Sequence, residues 1–163
     1  MDIDVTLRQA DIFMDFTGEQ LQALASICQQ RSFDMGDLLF EENSASDELY
    51  VIARGEVEIL VDPMLVSDHQ RTSPRPSTIA TLRRGQSFGE IALVDQGLRS
   101  ASARIARPDT RLVIIPRDGL MALCNEDPVL GYQLMYNLAA DLALKIRNTD
   151  LMMREKLLYA RSR

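Results

Sequence analysis

Apolar residues recur at helical spacing at both ends of the chain and at strand spacing between them. Near the start, residues 5–12 predict a short helix that breaks near Asp15 and Phe16. Thr17-Gly18-Glu19-Gln20 has the form of a capping box, with Thr17 at the N-cap and Gln20 at the third helical position. Leu21, Leu24, Ala25 and Cys28 follow at steps of three, one and three, so the spacing predicts a helix to about Gln30 with Cys28 as a packed core thiol. The period changes at Ser32. From there to Pro116, alternating or β-branched runs are broken by glycine, at 33–36, 38–41, 48–54, 56–61, 78–83, 100–106 and 111–115. Runs 48–54 and 56–61 flank Gly55 and predict a hairpin. Residues 63–77 carry three prolines among small polar residues and predict a long hairpin tip, with His69 inside it. Short strands at regular spacing, with turn signals between them, predict a barrel or a sandwich.

Helical spacing returns after Pro116. Residues 118–124 predict a short helix, and Asp127 and Pro128 supply the N-cap and first residue of a longer one. Nothing interrupts that helix to about Ala160. Met135, Ala139, Leu142, Ile146, Thr149, Met153, Lys156 and Ala160 form a heptad seam, imperfect at Thr149 and Lys156. At about 1.5 Å per residue the helix reaches some 45 Å, more than a barrel of this size can cover. The half beyond about Leu144 is therefore expected to need a partner, a second copy of the same helix. One domain over 1–163 follows: N-terminal helices in 1–31, strands in 32–116, and a short and a long helix in 117–163.

Composition narrows the function classes. A net charge of −6 argues against a nucleic-acid coat. The charge is uneven: residues 1–50 hold eleven acids and two bases, so the remainder is net basic. All bases but Lys145 and Lys156 are arginine, which serves planar anion recognition as well as a solvated surface. Two cysteines and one histidine leave no disulfide framework, no His-rich metal site and no Ser-His-Asp or Cys-His set. An enzyme is not expected, nor a metal cofactor. No apolar run approaches the roughly 20 residues of a membrane span. The N-terminus carries acids where a signal peptide carries bases. A cytoplasmic protein is expected.

The segment from Gly85 to Arg104 carries the chemistry. Phe88-Gly89-Glu90 leaves a strand, and Glu90-Ile91-Ala92-Leu93 can form one helical turn whose first N–H groups, with the glycine before them, suit an anion. Arg99 stands nine residues past Glu90, placed to clamp a phosphate bidentately, and Ser100 can add a hydroxyl. Glu90 repels a phosphate but accepts hydrogen bonds from a neighbouring sugar hydroxyl. A carboxylate for a hydroxyl and an arginine for a phosphate suit a ribose phosphate.

Here the chain resembles a family. Phe88-Gly-Glu-Ile-Ala-Leu93 followed by Arg99-Ser-Ala101 is similar to the phosphate-binding cassette, over 88–101, of cyclic nucleotide-binding domains. That family includes the bacterial catabolite activator protein, the regulatory subunits of cyclic-nucleotide-dependent kinases and cyclic-nucleotide-gated channels. Leu38–Glu42, Asp47–Gly55 and Glu56–Leu60 resemble its first strands, so the likeness spans about residues 10–150. It implies an α+β fold: an antiparallel β-roll, or jelly-roll barrel, with short N-terminal helices and a long C-terminal helix. It also implies roles. Glu90 would accept from the ribose 2′-hydroxyl, and Arg99 would neutralise the cyclic phosphate. Ser100, Gly89 and the N–H groups of Ile91 and Ala92 would complete the phosphate shell. Ile59, Ile79 and Ala80 would form the apolar wall against base or sugar. The family often closes its long helix over the base, for which Lys145, Arg147, Asn148 and Thr149 are the polar candidates, with Asn148 and Thr149 able both to donate and to accept.

Bacterial transcription factors of this type continue into a helix-turn-helix domain, and the kinase subunits add an inhibitor segment and a second binding domain. Nothing like these follows the long helix here, so a stand-alone sensor is expected, signalling to a protein effector and not to nucleic acid or membrane. Cyclic AMP is expected ahead of cyclic GMP, from the likeness to bacterial sensors. A parallel homodimer through Leu142, Ile146 and Met153 is expected. The alternative is a dimeric scaffold that keeps the fold and no longer responds to a nucleotide.

Overall fold

The structure is a computed structural model that describes residues 3–45, 47–62, 76–95 and 97–161. The capping box at Thr17 is formed: Gln20 N–H donates to Thr17 Oγ1 at 3.2 Å, and Thr17 N–H donates to Gln20 Oε1 at 3.0 Å. It opens helix α2 (Gly18–Ile27), which follows helix α1 (Ile3–Arg8) and a 3-10 turn (Asp11–Phe13). Helix α2 ends sooner than its periodicity predicts. Cys28 is extended, and strand β1 (Gln29–Phe33) begins at once, because Gln29, Gln30 and Arg31 pair with Ile114, Val113 and Leu112. That pairing with a strand some 80 residues away overrides local helical spacing. The Cys28 thiol donates to the Leu24 carbonyl, and burial pushes its pKa up to about 12. It is inert core packing, not a nucleophile.

The remaining strands are β2 (Leu38–Phe40), β3 (Glu48–Arg54), β4 (Glu56–Val61), β5 (Ser77–Arg83), β6 (Ser87–Phe88), β7 (Ser102–Ile105) and β8 (Thr110–Pro116). They form two four-stranded antiparallel sheets, ordered β1-β8-β3-β6 and β2-β7-β4-β5. The expected β-roll is therefore present, but β3 and β4 are not a hairpin. One residue, Gly55, separates them, too few to reverse the chain. Gly55 instead turns a corner from one sheet to the other at φ +96°, packed so closely on Thr110 that a Cβ would collide with its side chain. Strand β4 pairs with β7 along one edge, and its hairpin partner on the other is β5, with Val61 opposite Ser77. Most of the expected tip between them, including His69, lies outside the described residues.

Strands β3 and β8 are buried on both faces. Tyr50, Ile52, Leu112 and Ile114 face the inside of the roll with Val57, Leu82, Phe88 and Ile105. Leu49, Val51, Val113 and Ile115 face a second core made by the helices. Continuous apolar runs, not alternation, are the sequence mark of such strands. Helix α3 (Glu90–Asp95) lies in the β6–β7 connection, and α4 (Arg117–Glu126) follows β8. Helix α5 (Pro128–Arg161) starts where Asp127 Oδ1 accepts from the Val129 and Leu130 N–H groups at 3.0 and 3.1 Å. Leu130, Leu134 and Leu138 anchor its first half in the helical core. A fully buried leucine contributes about 1.5–3 kcal/mol. Asn137 adds donation to the Ile12 and Met14 carbonyls. That anchoring aims the rest of α5 across the open end of the roll.

Candidate functional site

A cavity of about 400 Å³ lies between the roll and α5, within the size range of small-molecule sites. Its apolar wall includes Ile59 and Ala80, which sit opposite each other across β4 and β5, with Ile79 and Leu82. Phe88, Gly89, Glu90, Ile91, Arg99 and Ser100 form its polar end. Helix α5 covers it with Asp141, Leu144, Lys145, Asn148, Thr149 and Met152. The helix beyond Leu144 thus lies partly on its own roll, contrary to the expectation that all of it needs a second partner.

Gly89 makes the polar end possible. It sits at φ +88°, in the left-handed region. A Cβ there would overlap the Arg99 guanidinium and approach the Glu48 carbonyl at 3.0 Å. Arg99 is only 3% exposed. Its Nη1 donates to the Gly89 carbonyl at 3.1 Å and its Nη2 to the Glu48 carbonyl at 2.8 Å. Its guanidinium carbon lies 3.9 Å from the centre of the Phe40 ring and 5.6 Å from that of Tyr50. Burial pulls the Arg99 pKa down, and contacts with Tyr50, then the charges of Glu48 and Glu90, pull the other way. An arginine stays cationic at neutral pH under such a balance. Burial, then the hydrogen bond to Glu48 and its charge, pushes the Tyr50 phenol well above its ordinary range.

Glu90 is the first residue of α3 and is 6% exposed. Its Oε1 accepts from Lys145 Nζ at 2.7 Å. The same ammonium lies 2.8 Å from Asp141 Oδ2 and donates to the Ser87 carbonyl at 3.3 Å. Burial works against the Lys145 charge, but the Glu90 carboxylate and the bonds to Asp141 and Glu90 outweigh it and hold the pKa above its ordinary value. The site thus presents one buried cation and one buried, paired carboxylate on either side of Gly89, beneath an apolar wall. Such a set can take an anion and a hydroxyl carried by an otherwise apolar ring system.

The structure brings nearly all the sequence-predicted residues together: Ile59, Ile79, Ala80, Gly89, Glu90, Ile91, Arg99, Ser100, Asn148 and Thr149 line one cavity. Ala92 is placed by backbone in α3. Thr149 Oγ1 donates to the Lys145 carbonyl at 2.9 Å, so its hydroxyl proton serves the helix. Thr149 also leaves the expected seam, since it lines the cavity. Arg147 is exposed and is not among the lining residues. Sequence reasoning missed Phe40, Leu82, Gln86, Asp141, Leu144 and Met152, and read Lys145 as a base contact where it is the Glu90 partner. Lysine in a chain that otherwise uses arginine was the available signal: a compact ammonium fits a buried carboxylate. Phe40 gave no local signal. Among the described residues, no group of three His, Cys, Asp or Glu side chains could hold a metal, and no helix is long and apolar enough to cross a membrane.

Comparison with known proteins agrees with this geometry. The family model described as "Cyclic nucleotide-binding domain" matches residues 30–127. The chain is 30% identical over 145 residues to a cyclic AMP receptor protein of Thermus thermophilus, covering 89% of this chain and 61% of that protein. It is 25% identical over 120 residues to cGMP-dependent protein kinase, isozyme 1, of Drosophila melanogaster, covering 74% of this chain and 15% of the kinase. Among solved structures, a cyclic nucleotide-binding domain from Methylobacillus flagellatus superposes with a TM-score of 0.78 at 26% identity, over 94% of this chain and 82% of that one. The chain therefore spans about three fifths of the bacterial receptor and a small part of the kinase.

Proposed function

The chain belongs to the cyclic nucleotide-binding domain family, and from that premise we propose that its cavity binds a cyclic nucleotide, cyclic AMP ahead of cyclic GMP, and passes the event to a partner protein through α5. The observation that carries this reading is Arg99, a buried cation beside a glycine that leaves it room, with the Glu90 carboxylate one residue further on. Arg99 takes the cyclic phosphate. Gly89, Ser100 and the N–H groups of Ile91 and Ala92 complete the shell around it. Glu90 accepts from the ribose 2′-hydroxyl. Ile59, Ile79 and Ala80 bear on the apolar faces of sugar and base, and Asn148 and Thr149 meet the base edge from α5.

Lys145 donates to Glu90 Oε1, on the carboxylate that this reading assigns to the ribose hydroxyl. Binding therefore changes the grip of α3 on α5, and α5 carries the output. Coupling of this kind is an equilibrium between two helix arrangements, biased by the ligand's differential affinity. The outer side of α5 supports a parallel homodimer: Val129, Tyr132 and Tyr136, then Ile146, Met153 and Leu157, are exposed apolar residues whose intervals of 3, 4, 10, 7 and 4 keep them on one stripe, and Leu142 is half-buried. The reading places the protein in the cytoplasm, where cyclic nucleotides are made.

A melting-temperature panel with cyclic AMP, cyclic GMP, a cyclic dinucleotide and ATP tests the proposal. A ligand that binds only the folded state adds about 2.7 kcal/mol at a hundredfold excess over its dissociation constant. A rise with cyclic AMP larger than with the others is expected. No rise with any of them would leave the fold as a dimeric scaffold.

A further inference from the structure

Arg99 reaches the cavity from a loop, and a long side chain on a loop needs something to hold it. We propose that Phe40 is the positioning residue that keeps the Arg99 guanidinium in its ligand-ready place, through a cation–π contact. This deepens the nucleotide reading of the same site. The guanidinium carbon stands 3.9 Å from the Phe40 ring centre, well inside the roughly 6 Å reach of such contacts. Phe40 does not stand alone. Tyr50 and Phe88 stack at 5.0 Å and 9° between planes, and Phe40 lies 5.8 and 6.0 Å from them. The three rings make a rigid floor whose Phe40 face meets the cation.

The same segment of chain also fixes the arginine's backbone. The turn that follows β2 accepts the Arg99 N–H at the Ser44 carbonyl, 2.9 Å, and Asn43 N–H donates to the Arg99 carbonyl at 2.8 Å. Asn43 adopts φ +64° to make this turn, a conformation that asparagine tolerates better than most residues. Residues 40–44 therefore hold Arg99 at both ends, the main chain by hydrogen bonds and the guanidinium by a ring. A ring face consumes none of the in-plane N–H donors, so those on Nη1 and Nη2 bond the Gly89 and Glu48 carbonyls while the cation keeps its charge for an anion. The side chain is ordered on folding, so ligand binding does not bear that cost.

Phe40→Leu keeps apolar volume and removes the ring, Phe40→Tyr keeps the ring, and Phe40→Met serves the same comparison should the leucine variant not fold. The first readout needs no ligand. In the 1H–15N spectrum of arginine Nε–H groups, the Arg99 signal, identified by its loss in Arg99→Gln, should lie upfield from ring current. It should move most of the way back toward the ordinary arginine position in Phe40→Leu, where only the more distant Tyr50 ring at 5.6 Å remains, and stay upfield in Phe40→Tyr. The second readout is titration with cyclic AMP: Phe40→Leu should bind about tenfold more weakly, Phe40→Tyr within about threefold of wild type, and Phe40→Leu should add less than about threefold to Arg99→Gln. An unshifted Arg99 signal in the wild-type protein overturns the proposal. So does equal weakening in the leucine and tyrosine variants, or a tenfold loss that persists without the arginine. If the wild-type protein binds no cyclic nucleotide, the functional reading falls, and the ligand-free spectrum still decides the role of Phe40.

Discussion

Replacing Lys145 by methionine removes the ammonium that sits between Glu90 and Asp141, 2.7 and 2.8 Å away, and leaves two carboxylates facing one another at the cavity mouth. Breaking one side of a fully buried ion pair costs about 3–5 kcal/mol. Here Glu90 is buried, with 7% of its side chain exposed, whereas Lys145 keeps 35%. Exposed pairs contribute only about 0–1 kcal/mol. The mixed case falls between, at about 2 kcal/mol. In a chain of this length each kcal/mol moves the melting temperature by about 2–4 °C, so Lys145→Met should melt about 4–8 °C below wild type. The Lys145 pKa is raised, so its contribution is present below the ordinary value of 10.5 and is lost as pH rises through the folded value. The melting-temperature gap should therefore stay flat between about pH 6 and pH 9. Saturating cyclic AMP should narrow the gap if, as proposed, its ribose hydroxyl supplies Glu90 with another donor. Calorimetry on Lys145→Met, Glu90→Gln and the double variant measures the coupling. A coupling within about 0.3 kcal/mol of zero would show that the pair does not hold α5 to α3, and would refute the reasoning.

Three further outcomes follow from the geometry. Gly89→Ala forces a Cβ onto the Arg99 guanidinium at a left-handed φ; such strain costs of order 1–3 kcal/mol, and the variant should both melt several degrees lower and lose cyclic nucleotide affinity, whereas unchanged affinity would detach Gly89 from the site. Ile146→Asp combined with Met153→Asp places charge in the exposed α5 row and should convert a dimer to a folded monomer by sedimentation; a full-length protein already monomeric at tens of micromolar would contradict the dimer. The Asp127 carboxyl is held below its ordinary 3.8 by the Gln20 amide and then by the Leu130 N–H; a depressed acid contributes stability above its ordinary pKa and loses it as pH falls through the folded value, so the stability advantage over Asp127→Ala should be present at neutral pH and shrink below about pH 4. An advantage that holds undiminished into strong acid would count against that account.

The cassette was legible because its logic is local. Gly89, Glu90 and Arg99 lie within eleven residues, and the turn that needs the glycine also seats the two charges. The capping box and the Asp127 N-cap were legible for the same reason: each bond spans three residues or fewer. What was hidden depends on contacts across the chain. Phe40 meets Arg99 across nearly sixty positions, and the pairing of β2 with β7, with the Asn43 and Ser44 backbone bonds to Arg99, brings them together. Gly55 was misread as a hairpin tip because two well-formed strand patterns on either side of a glycine look alike whether the chain reverses or turns a corner; the Thr110 side chain that fills the corner comes from β8. The long helix was correct in extent and incomplete in role. Its apolar rows read as one seam, yet the anchoring of Leu130, Leu134 and Leu138 rotates Thr149 toward the cavity and leaves Ile146 and Met153 exposed.

The central claim is that Arg99 answers the charge of a cyclic nucleotide in this cavity, and titration calorimetry of cyclic AMP into wild type and Arg99→Ala tests it most directly. Removing one partner of a buried charge pair costs about 3–5 kcal/mol, at least a hundredfold in dissociation constant. The account predicts saturable binding to the wild-type protein and at least a hundredfold weaker binding to an Arg99→Ala variant that still unfolds cooperatively. Binding of the folded variant within about threefold of wild type would contradict it.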